Sequence, residues 1–159
     1  LGSFIDAAGS GGAEILRNRL RLREGPGAID AEHIAGLSSG LHSSLLNSHP
    51  ESARDDQPIS IFNGWPKDWD AAFTLLARGA FVVSSAQQDG KIPLVEIVSR
   101  IGGTLRFTNP WSGQRVTLYR AGRASERLSG AMLSIATSKG ETIVLAPEGT
   151  RPTPIKVGS

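Results

Sequence analysis

The sequence predicts a mainly β protein, an antiparallel β-sandwich preceded by a short helical segment. Two observations carry this. After Pro58, short apolar runs rich in Val, Ile, Thr and Phe recur with turn signals between them, the pattern of half-buried strands. Before it, Ile34, Leu37, Leu41 and Leu45 are spaced by threes and fours, as one face of a helix requires. No helical pattern interrupts the later runs, which favours strands joined by turns over strands joined by crossover helices.

The elements follow in order. Residues 1–12 are rich in Gly, Ala and Ser and predict a loop. Residues 13–23 are two-sided: Ile15, Leu16, Leu20 and Leu22 fit a helix face loosely, while the Leu/Arg alternation fits a strand. The lack of β-branching tips the expectation to a helix, stopped by Gly25-Pro26-Gly27. A second helix is expected over 36–49, its other face small and polar. Gly36 and Gly40 cost it propensity, about 1 kcal/mol each relative to alanine, and their spacing predicts a closely packed neighbouring helix. Eight strands are expected at 59–62, 72–76, 81–86, 94–100, 104–108, 115–119, 128–136 and 142–146. Asp89-Gly90 is a hairpin signal, and Gly102-Gly103, Ser112-Gly113 and Lys139-Gly140 mark further turns. Within the runs, Val95, Ile97, Leu105 and Phe107 alternate with Glu96, Val98 and Arg106, one set to each face. The expected organisation is a helical segment over 1–52, the sandwich over 57–148 and an exposed tail over 149–159, within a Pro-rich end that begins at Pro147.

At 159 residues, 39% hydrophobic and 20% charged, the chain is globular rather than disordered. It starts at Leu1 and holds one methionine, so it is expected to be a piece of something longer. No run reaches the ~18 apolar residues of a membrane helix, which predicts a soluble chain without a membrane partner. Zero cysteines exclude disulfides, thiolate metal sites and cysteine nucleophiles. Net charge is +2, and the pI of 9.4 reflects a small excess of arginine. The alternating Arg17, Arg19, Arg21 and Arg23 lack clustered charge and interleaved aromatics, so no nucleic-acid partner is expected.

Three segments carry a family resemblance: LeuLeuAsnSerHis at 45–49, IlePheAsnGlyTrpProLysAspTrp at 61–69, and Gly-Gly through Asn109-Pro110-Trp111 at 102–111. Together they resemble the C-terminal part of glycoside hydrolase family 95, the alpha-L-fucosidase and related enzymes, over roughly residues 32–148. In that family a helical (α/α)6 barrel carries catalysis and a β-sandwich follows it. The resemblance implies that residues 1–50 are the last helices of such a barrel, with the general acid upstream. It implies an oligosaccharide or polysaccharide substrate, no cofactor, and the parent's barrel as the sandwich's partner. A secreted or periplasmic parent is compatible with it, and the compartment is left open. One catalytic carboxylate of the family sits in an Ile-Asp-Gly-Asn-Phe-Gly stretch, and counting back from His49 places Glu32 at its position. The local Asp30-Ala31-Glu32-His33-Ile34-Ala35-Gly36 departs from that pattern, so only a carboxylate carries over, with Asp30 beside it.

Glu32 is therefore the catalytic candidate, as a base or part of a water-activating set; the alternative is a helix N-terminal carboxylate favoured by the dipole. Trp65, Trp69 and Trp111 are the substrate-binding candidates, since pyranose faces stack on indoles. The alternative is that they pack between helices and sandwich. His33, His42 and His49 offer no i, i+4 pair, so no metal is expected; His49 is expected to bond helix-terminal carbonyls. A second function class is a stand-alone carbohydrate-binding or interaction module without catalysis. It predicts the three tryptophans exposed on one face, whereas the hydrolase reading predicts them largely buried, with an apolar patch exposed on the helices.

Overall fold

The computed structural model describes residues 13–16, 19–22, 31–49 and 57–152, with 13–22, 31–34 and 37 described by backbone alone. Within this the chain is mainly β, an antiparallel sandwich preceded by a short helix. Strands β1 (Ala13–Leu16) and β2 (Arg19–Leu22) form a hairpin that pairs Ile15 with Leu20 and Glu14 with Arg21. This corrects the helix expected over 13–23: the Leu/Arg alternation is a period of two, and cross-strand pairing outweighs the weak helix signal.

Helix α1 (Ala31–Leu45) runs without a linker into strand β3 (Leu46–Asn47). Strand β4 (Ser60–Ile61) pairs back on β3, Leu46 opposite Ile61 and Asn47 opposite Ser60. The helix thus ends four residues before 49, where pairing with β4 captures the backbone. Leu46 is 1% exposed and belongs to the core.

The larger layer is a six-stranded sheet containing β5 (Ala71–Ala77), β6 (Phe81–Gln87), β7 (Val95–Ser99), β9 (Val116–Arg120), β10 (Arg123–Leu128) and β12 (Glu141–Pro147). Its order is β10-β9-β12-β7-β6-β5. The facing layer holds β8 (Gly103–Thr108) paired with β11 (Met132–Thr137), and Ile59 bridges to Phe107. Because β8 crosses to this layer, β12 fits between β7 and β9. Every strand ladder is antiparallel.

The core lies between the layers. Val83, Val95, Ile97, Val116, Leu118, Ile143 and Leu145 from the large sheet meet Leu105, Phe107, Leu133 and Ile135. The predicted alternation is seen: Val95, Ile97, Leu105 and Phe107 are fully buried, while Glu96 is exposed and Val98 and Arg106 are half-buried. At Asp89-Gly90 both residues have positive φ (48° and 69°), and Gln88 and Lys91 exchange two backbone hydrogen bonds of 2.9 Å. That is the turn whose twist matches a tight hairpin.

Most strand limits shift by a residue or so from the sequence reading, and the larger departures are in one region. The run 128–136 is broken: Leu128 closes β10, Gly130 (φ 108°) turns the chain, and β11 starts at Met132. The hairpin β9–β10, turning at Ala121-Gly122 (φ 49° and 75°), is an addition to the expected strands. Pro147 is the last residue of β12, and the Tyr119 hydroxyl donates to the Thr150 carbonyl at 3.1 Å. The Pro-rich end is thus anchored at its start. Residues 1–12, 17–18, 23–30, 50–56 and 153–159, and the expectations that fall on them, lie outside the described residues.

Candidate functional site

The loop between β4 and β5 carries Trp65 and Trp69; Phe62 seats it in the core, Trp65 packs against that core, and hydrogen bonds hold the rest. Phe62 opens it with φ 52°, its N–H donating to the Leu45 carbonyl at the end of α1 (2.9 Å). The Trp65 indole N–H donates to the Trp69 carbonyl at 2.9 Å, and the two rings meet edge to face at 5.9 Å. Gln87, at the end of β6 and 4% exposed, donates through Nε2 to the carbonyls of Pro66 (2.8 Å) and Trp69 (3.0 Å). The Asp70 carboxylate accepts the Asp89 N–H at 2.9 Å, tying the loop to the β6–β7 turn. At Gly90 a Cβ would stand 3.1 Å from the Lys67 carbonyl, so a side chain there would press on the loop.

Exposure divides the three tryptophans. Trp69 is 39% exposed, Trp65 is half-buried and Trp111 is 8% exposed. Trp65 and Trp69 are brought together. Trp111 stands apart on the β8–β9 connection, its indole N–H donating to the Ile92 carbonyl at 2.7 Å. Asn109 shapes that connection: Oδ1 accepts the Trp111 N–H (3.0 Å), and Nδ2 donates to the carbonyls of Gln114 (3.0 Å) and Gly130 (3.1 Å). Gln87 and Asn109 are the residues that sequence reasoning missed as organisers. Asn109-Pro110 marks a turn in the sequence, whereas nothing in the run ending at Gln87 indicates a buried amide.

The three resemblance segments converge beside the end of α1. Asn47 and His49 from the first, Asn63 from the second and Thr108 from the third line one cleft of 350 Å³ with Ser60 and Gln57. Its described polar lining is mostly neutral amides and hydroxyls, suited to hydrogen-bonding uncharged polar groups. His49 lies four residues past the end of α1 rather than at it, and its backbone N–H donates to the Asn47 side chain at 3.1 Å.

Glu32 is the second residue of α1, within the first turn, and its side chain lies outside the described residues. Beyond it, Ala35, Gly36, Ser38, Ser39, Gly40, Leu41 and His42 are exposed, Leu41 at 43%. Gly36 and Gly40, whose spacing predicts a close helical neighbour, face open space: nothing lies within 4 Å of an added Cβ. Among the described residues no three of His, Cys, Asp or Glu group as metal ligands, and no helix is long and apolar enough to cross a membrane. Compared with models of protein families and with curated proteins, the chain matches none of them.

Proposed function

We propose that this chain is the C-terminal portion of a glycoside hydrolase similar to family 95, a β-sandwich accessory domain that supports hydrolysis of glycosidic bonds in oligo- or polysaccharides. The observation that carries the reading is the splice at Leu45-Leu46. A helix exposed along its described residues from Ala35 to His42 feeds directly into a strand whose first residue is 1% exposed in the sandwich core. A short helix draws most of its stability from packing an apolar face, so one whose described residues between 35 and 42 are exposed, and which continues directly into the sandwich, suits a helical neighbour. The convergence of the three resemblance segments supports the same reading, because residues distant in sequence share one cleft at that splice. The parent barrel would supply the acid and the water-activating groups. Glu32 is the one residue here offered for chemistry, in the first turn of α1.

Purified chain assayed against aryl α-L-fucosides and other aryl glycosides tests this. No turnover is expected; robust turnover that Glu32→Gln abolishes would overturn it. The exposed Trp69 favours one component of the rival reading, a surface that itself touches carbohydrate, and the accessory role accommodates it.

A further inference from the structure

We propose that the Trp69 indole is a saccharide-stacking platform, held in place by the buried Gln87 amide. The inference deepens the accessory-domain reading and takes its ligand class from it. Trp69 is the most exposed of the three tryptophans, yet its loop is held by hydrogen bonds to Gln87, Trp65 and Asp89. Its carbonyl accepts two hydrogen bonds, from Gln87 Nε2 and from the Trp65 indole. A buried amide is costly unless paired, so Gln87 stays engaged with Pro66 and Trp69 and fixes the backbone from which the indole projects. Trp65 restrains the ring through the edge-to-face contact between the two indoles. A ring ordered in advance forfeits little conformational freedom when a ligand covers it.

The surroundings define the ligand. Lys67, Asp68 and Asp70 flank the exposed ring in sequence, and all three are exposed. An apolar face bordered by hydrogen-bonding groups suits a pyranose, which offers C–H groups on its face and hydroxyls on its rim. Asp68, Asp70 and the adjoining Asp89 outnumber Lys67, which disfavours a phosphate-bearing ligand such as single-stranded nucleic acid. The buried Trp111 indole, turned to the Ile92 carbonyl, has no comparable free surface.

Native gel electrophoresis of the full chain in gels containing xyloglucan, arabinoxylan or galactomannan tests the proposal. Retardation by at least one polysaccharide is expected. Trp69→Ala should weaken it about tenfold, the loss of one stacked ring, and Trp69→Phe should restore part of it. The thermal midpoint of Trp69→Ala should stay within about 2 °C of the parent, since the backbone contacts of residue 69 do not depend on its side chain. Gln87→Leu, a positioning variant, should lower both the retardation and the fluorescence anisotropy of the loop tryptophans. Absence of retardation with all three polysaccharides, or equal retardation of Trp69→Ala, overturns the proposal. So does self-association lost in Trp69→Ala without retardation, which would make the surface a protein contact. None of these outcomes bears on turnover by the chain, which tests the accessory-domain reading separately.

Discussion

At Gly79 the backbone adopts φ 75°, and an added Cβ would stand 2.8 Å from the Phe81 ring, itself 5% exposed in the core. Left-handed backbone and overlap with a packed ring act together there, so Gly79→Ala is expected to cost about 2–4 kcal/mol in urea denaturation. Asn109 acts through hydrogen bonds instead. Asn109→Ala removes the donors to Gln114 and Gly130 and the acceptor of the Trp111 N–H, at an expected cost of about 1–3 kcal/mol. Its near-UV circular dichroism should change with the loss, because Trp111 is fixed through that contact. The sequence marks Asn109-Pro110 as a turn but does not indicate which carbonyls converge on the amide. Gln87 is harder still, since its partners lie 18 and 21 residues away and follow only from the pairing of β5 with β6.

Among the elements, the alternating strands after Pro58 were legible, whereas β1 and β2 alternate yet read as a helix, and β10 was missed. β7 buries every second residue, and β8 does so from Leu105 onward. β10 is exposed from Arg123 to Arg127 and is the edge of its sheet, so it carries no apolar alternation to read; charge and a register shift between Ala124 and Glu126 protect that edge. β3 is two residues long and continues a helical pattern, which hid the transition at Leu46. The β9–β12 pairing carries a pH signature. Glu141 accepts the Ser138 backbone N–H at 2.8 Å and pairs with Arg120, and both hold its carboxyl below the usual carboxylate range. A folded-state pKa below the unfolded one means stability present above the ordinary carboxylate pKa and lost as pH falls through the depressed value. Glu141→Gln should therefore destabilise by no more than ~1 kcal/mol at neutral pH. In thermal melts against pH the difference from the parent should vanish in acid.

For the whole molecule, the sandwich and the helix are expected to differ in how they are held. Leu46→Ala opens a cavity in the core and should cost about 2–5 kcal/mol. Leu41→Ala, at a residue 43% exposed on α1, should change the urea midpoint little, about 0.5 kcal/mol or less. The helix was legible from its leucine spacing, and the resemblance pointed to a helical neighbour. That the described residues of α1 from 35 to 42 are exposed was not legible, because leucines at helical spacing read alike whether their partner is in the same chain or elsewhere. The most direct measurement is hydrogen–deuterium exchange on the purified chain, resolved to α1 and to β6, β7 and β8. The exposure of the described residues between 35 and 42, on a helix that runs directly into a packed sandwich, predicts fast exchange over residues 35–42 and slow exchange in those strands. Protection of α1 equal to that of the strands would show the helix already satisfied within its own chain, and would contradict the claim that it is built to pack against a helical partner.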